Sequence, residues 1–93
     1  MKADFKQDQK VWVSCEAQPG AFPDERLVTI TSTTGPISGF VKAGDLEQPD
    51  SRTTRVRGQI VTVLTDGAKV RIAGAFFTTA SGIASVPRSL LAA

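Results

Sequence analysis

Apolar and polar residues alternate along most of this chain, the period of half-buried β-strands. Val11, Val13 and Cys15 lie on one side of a first strand, Lys10 to Cys15, with Lys10, Trp12 and Ser14 on the other. Gln18-Pro19-Gly20-Ala21-Phe22-Pro23-Asp24 carries two prolines and a glycine and reads as a loop. Arg26 to Ser32 predicts a second strand with Val28 and Ile30 towards the core. Thr33-Thr34-Gly35-Pro36 is a turn, Ile37 to Val41 a third strand, and Lys42 to Leu46 a tight or 3₁₀ turn.

Glu47 to Thr54 is the most polar stretch and reads as an exposed loop. Arg55 to Thr65 is the longest strand signal. Its apolar residues fall on both sides, which predicts burial on both faces or a bend at Gly58. Asp66-Gly67 predicts a hairpin turn. Lys69 to Ile72 returns, Gly74 to Gly82 connects, Ile83 to Val86 is a last strand, and Pro87 to Leu91 closes the chain. Glycine and proline interrupt every stretch long enough for a helix beyond a turn or two.

A weak internal repeat runs through this pattern. Leu27-Val28-Thr29-Ile30 matches Lys69-Val70-Arg71-Ile72, and Val41 precedes Leu46 by the interval at which Val86 precedes Leu91. The half-repeats are 10–47 and 55–92; small β-meanders in general share such features, so true duplication and coincidence both remain open. A length of 93 residues suits a single β-barrel domain over 1–93, with little core to spare.

The net charge of +2 is unevenly spread: residues 1–47 sum to −2 and residues 48–93 to +4. That polarity permits an anionic partner or a head-to-tail self-contact. The start alternates charges with amides, unlike a secretory leader. No apolar run approaches the ~20 residues of a membrane span. A cytoplasmic protein without membrane contact is the expectation.

Ser38-Gly39-Phe40-Val41-Lys42-Ala43-Gly44-Asp45-Leu46-Glu47 resembles the closing strands of bacterial SH3-type domains, and Ser85-Val86-Pro87-Arg88-Ser89-Leu90 resembles the same element. The resemblance covers two short pieces and implies an all-β, SH3-like small barrel, or two half-barrels around one core. Val70-Arg71-Ile72-Ala73-Gly74-Ala75-Phe76 resembles the motif of KOW modules, but Ile72 and Gly74 stand one residue too close and the second glycine, Gly82, comes late. Gly58-Gln59-Ile60-Val61 is similar to a stretch in type II dihydrofolate reductases. Their catalytic strand carries glutamine, isoleucine and tyrosine where this chain has Ala84, Ser85 and Val86, so that activity is not expected.

Chemistry-bearing residues are few. The chain has no histidine, so it cannot form a Ser-His or Cys-His pair within itself. Asp24-Glu25 and Asp45-Glu47 are isolated loop carboxylates. Cys15, the single cysteine, shares the valine face and reads as a small buried hydrophobe. No catalysis, metal or cofactor is expected. Trp12 is either a core residue of a bent strand or an interface anchor. Phe76 and Phe77 are adjacent and face opposite ways on a strand, so one needs irregular backbone or cover from another molecule.

Arg52, Arg55, Arg57 and Arg71 are the nucleic-acid candidates, with Arg55 and Arg57 on one strand face. The sequence thus predicts a non-catalytic binding or assembly module of unknown partner. It self-associates as a dimer through Trp12, Phe76 and Phe77. The alternative is a KOW-like barrel that binds single-stranded nucleic acid.

Overall fold

The chain folds into eight antiparallel β-strands, described here from a computed structural model over residues 5–76 and 82–93. These are β1 (Lys10–Pro19), β2 (Glu25–Ser32), β3 (Gly35–Lys42), β4 (Thr53–Leu64), β5 (Gly67–Ile72), β6 (Ala75–Phe76), β7 (Ile83–Pro87) and β8 (Leu91–Ala92). Among the described residues 63% are strand and none is in an α-helix; the 3₁₀ turns Ala43–Asp45 and Arg88–Leu90 supply the remaining regular backbone. No helix among them is long and apolar enough to cross a membrane.

Strand order is β6-β3-β2-β1-β4-β5-β7, with β8 also paired to β1. The sheet curls into an antiparallel half-barrel. Its ends approach each other: β6 pairs with β3, and the Thr33 N–H donates to the Ser85 carbonyl at 2.9 Å. The concave side is the core. Val13, Val28, Ile30, Val56, Ile60, Val70 and Val86 alternate onto it and are fully buried, each worth roughly 1.5–3 kcal/mol of transfer free energy.

The ladders of the two halves correspond pair by pair. Glu16–Thr29 and Ala17–Val28 between β1 and β2 have counterparts in Gln59–Arg71 and Ile60–Val70 between β4 and β5. Arg26–Val41 and Val28–Gly39 between β2 and β3 match Ala68–Val86 and Val70–Ala84 between β5 and β7. The Ala43 N–H donates to the Asp24 carbonyl and the Arg88 N–H to the Asp66 carbonyl, both at 2.8 Å. After each 3₁₀ turn a leucine reaches across: Leu46 bridges Val56, and Leu91 pairs with Val13.

Four sequence expectations need correction. β1 continues past Cys15 to Pro19, because residues 16 to 19 pair with β2. The polar stretch before β4 is shorter than expected, since Thr54 is buried and faces Cys15. The hairpin turn is Thr65-Asp66, with Gly67 already opposite Leu64 in β5. β4 is not buried on both faces. A register shift between Ile60 and Thr62 breaks the alternation, and beyond it Thr62, Val63 and Leu64 are all exposed. Gly58 is where the core comes closest to this strand, since a Cβ there would lie 2.7 Å from Val70 Cγ1.

Candidate nucleic-acid interface

The convex face of β1, β4 and β5 carries the side chains that point away from the core. Gln59 is paired with Lys10 on one side and Arg71 on the other, so Lys10, Gln59 and Arg71 form a row across three strands. With strands about 4.8 Å apart, the two cations start roughly 10 Å from each other. The next row places Trp12 opposite Arg57. These rows frame an open cleft of about 280 Å³, with Gly58, Ile72 and Ala73 completing its lining.

Arg57 is held by its neighbour. Its guanidinium carbon lies 5.7 Å from the centre of the Trp12 ring, a cation–π contact worth about 0.5–1 kcal/mol at an exposed site. Trp12 is half-buried. It is therefore a support for Arg57 rather than a bare stacking face. Gln59 is fixed as well, its side-chain amide donating to the Asp8 carbonyl at 3.0 Å.

The ion pairs among the described residues are Arg26–Asp50 and Arg55–Glu47. Lys10, Arg57 and Arg71 take part in neither. On the outward positions of β1 the acidic residue is Glu16, at the far end of the strand. None of these three cations forms an ion pair among the described residues, and Asp8, whose carbonyl accepts from Gln59, is the acidic residue beside the row.

The four candidate arginines separate. Arg57 and Arg71 meet at the cleft. Arg55 shares the face of Arg57 but is committed to Glu47 through two guanidinium–carboxylate hydrogen bonds. That bonding holds the Glu47 carboxyl below and the Arg55 guanidinium above their ordinary ranges. Arg52 is exposed beside the loop after β1, away from the cleft. Lys10 joins the cluster and was missed; alternation had placed it beside Trp12, but no local signal set it opposite Gln59.

Phe76 enters the fold through its backbone, paired with Gly39, and Phe77 lies outside the described residues. Cys15 is buried, and burial pushes its thiol up to about 11, so it offers no nucleophile near neutral pH.

The other half of the sheet supplies an internal comparison. The row Lys10, Gln59, Arg71 corresponds to Thr53, Glu16, Thr29, and Arg57 corresponds to Ser14. The same positions in the same ladders hold neutral or acidic residues there, so the strands do not need cations to form. No family model, curated protein or solved structure matches this chain.

Proposed function

We propose that this chain is a non-catalytic binding module, an SH3-like barrel made of two similar halves, that takes single-stranded nucleic acid on the convex face of β1, β4 and β5. The observation that carries the reading is the convergence of Lys10, Arg57 and Arg71 on one cleft, none of them in an ion pair among the described residues. Their counterparts Thr53, Ser14 and Thr29 in the other half lack charge. Arginine stays protonated throughout the accessible pH range, so it binds phosphate rather than moving protons. Sequence-tolerant strand binding combines such phosphate contacts with planar groups against bases, and Arg57 lying over Trp12 offers a guanidinium plane.

The test is titration of a labelled single-stranded oligonucleotide at low salt. Binding should weaken linearly on a log–log plot of affinity against salt, and each cation removed should flatten the slope by about 0.7. Arg71→Ala and Lys10→Ala should do so, while Arg52→Ala should not. No affinity at low salt, or affinity indifferent to salt, would reject the reading.

Self-association remains part of the assembly reading. It is favoured by a specific observation at other residues than Trp12: Phe22, Val63 and Leu64 are large apolar side chains open to solvent.

A further inference from the structure

We infer that the nucleic-acid footprint runs along β4 beyond the cleft to Arg55, where the Glu47 carboxylate holds the place of a backbone phosphate in the free protein and gives it up when a strand binds. The inference rests on the strand-binding reading and concerns how that site is gated and where it ends. Arg55, Arg57 and Gln59 alternate onto the convex side of β4, and neighbours on one face of a strand stand about 6.7 Å apart. Gln59 lies in the row of Lys10 and Arg71, Arg57 in the row of Trp12, and Arg55 in the row of Ser14. A chain laid along β4 meets these cations in turn within roughly 13 Å. Beyond Arg55 the next outward pair is Thr53 and Glu16. A carboxylate there repels phosphate, so the footprint ends at Arg55.

Glu47 reaches Arg55 from the end of the first closing turn. Leu46 is buried and bridges Val56, and the Glu47 N–H donates to the Arg55 carbonyl at 2.9 Å. Alternation after Leu46 turns the Glu47 side chain outward, beside Arg55. The Arg55 Nε donates to Glu47 Oε1 at 2.8 Å, and Nη2 donates to Oε2. This parallel two-point grip is also the one by which a guanidinium holds a phosphate. Carboxylate and phosphate therefore compete for the same donors.

The contact is exchangeable. Its two side chains are 37% and 34% exposed, and an ion pair this open to water contributes little to stability. Among the described residues the Arg55 guanidinium bonds to Glu47 alone. Arg26, in the other ion pair, is anchored by the carbonyls of Pro23 and Pro49 as well as by Asp50. The fold does not call for the carboxylate either. In the correspondence of the halves Arg55 maps to Trp12, and Glu47 maps to Ala92, which pairs with Trp12. The second closing turn is thus completed by a methyl group where the first places an acid.

A labelled oligothymidylate, titrated at several low salt concentrations, reads both affinity and salt slope. Glu47→Gln should bind roughly two- to fivefold more tightly than the parent, the strength of one exposed ion pair. Its slope should match the parent's, because Arg55 reaches phosphate in both complexes. Arg55→Ala should bind more weakly and flatten the slope by about 0.7, the share of one phosphate contact on a single strand. The double variant should keep the flattened slope. Should Arg55→Ala lose the parent's circular dichroism, Arg55→Gln replaces it. An Arg55→Ala slope equal to the parent's, or a Glu47→Gln slope steeper by about 0.7, would show that Arg55 stays with Glu47 in the parent complex. Either result, or no gain in affinity from Glu47→Gln, overturns the inference and leaves the cleft as the binding site. A parent without affinity at low salt rejects the strand-binding reading itself, and the inference with it.

Discussion

Val13 and Val56 face each other across β1 and β4, fully buried, and each also receives the closing leucine that follows a 3₁₀ turn. Leu91 pairs with Val13 and Leu46 bridges Val56. Both halves of the sheet close on this one contact. Val13→Ala and Val56→Ala should therefore cost similar stability, about 2 kcal/mol each from lost burial and the cavity left behind. The double variant should deviate from additivity, because the two side chains share that cavity. Urea unfolding measures all three. A cost under about 0.5 kcal/mol at either site would show that the closure does not depend on the pair.

A second expectation concerns Gly67. A Cβ there would sit 2.0 Å from the Val86 carbonyl oxygen, so β5 and β7 pair closely only with glycine at this place. Gly67→Ala should lose roughly 1–3 kcal/mol, the range for forced overpacking. Gly44 in the first 3₁₀ turn has nothing within 4 Å of the equivalent point. Gly44→Ala should be close to neutral. Equal losses at the two positions in thermal unfolding would contradict the steric account.

The strands were legible because burial on one side imposes a period of two, and Val28, Ile30, Val70 and Ile72 display it without interruption. The closing leucines were legible for the same reason, as apolar residues at matching intervals after a turn. What the sequence hid was anything set by pairing between distant segments. Lys10 meets Gln59, and through it Arg71, by a register fixed across the whole sheet. Arg55 looked as available as Arg57 until Glu47 was found beside it. Val63 and Leu64 read as buried because a single shift at Val61 cannot be seen in an alternating pattern.

The thiol of Cys15 links stability to alkaline pH. Burial raises its folded-state value from 9.0 to about 11. A raised pKa means that the folded state holds its proton more tightly than the unfolded chain. The stability that the buried thiol contributes is complete below pH 9, falls as pH rises from there, and is gone above about 11. Cys15→Ala or Cys15→Val should flatten the loss of stability over that window. Alkylation of native protein at neutral pH should be far slower than that of the urea-unfolded chain. An equal rate in both states would mean that the thiol is open to solvent.

The correspondence between the halves gives the cation cluster a constructive test. The row Thr53, Glu16, Thr29 and the position of Ser14 occupy the ladder sites that Lys10, Gln59, Arg71 and Arg57 occupy on the other side. Thr53→Lys, Glu16→Gln, Thr29→Arg and Ser14→Arg together should copy the cleft charges onto the second half. None of the four positions is fully buried, and partly exposed substitutions of this kind change stability little, about 0.5 kcal/mol or less each. Two positions are constrained: the Thr29 hydroxyl shares a hydrogen bond of 3.0 Å with Ser38, and Ser14 lies directly opposite Arg55, so an arginine there meets a like charge. The grafted protein should keep the parent's circular dichroism and bind a single-stranded oligonucleotide at two sites instead of one. Isothermal titration at low salt reads the stoichiometry, and quenching of Trp12, the single tryptophan, reports the original cleft. The original site should fill with the parent's quenching, while the second binds without it. If the graft folds and still binds one strand, charge at these ladder positions is not what makes the site. The cleft beneath Arg57 and Arg71, which the graft does not reproduce, would then be the determinant.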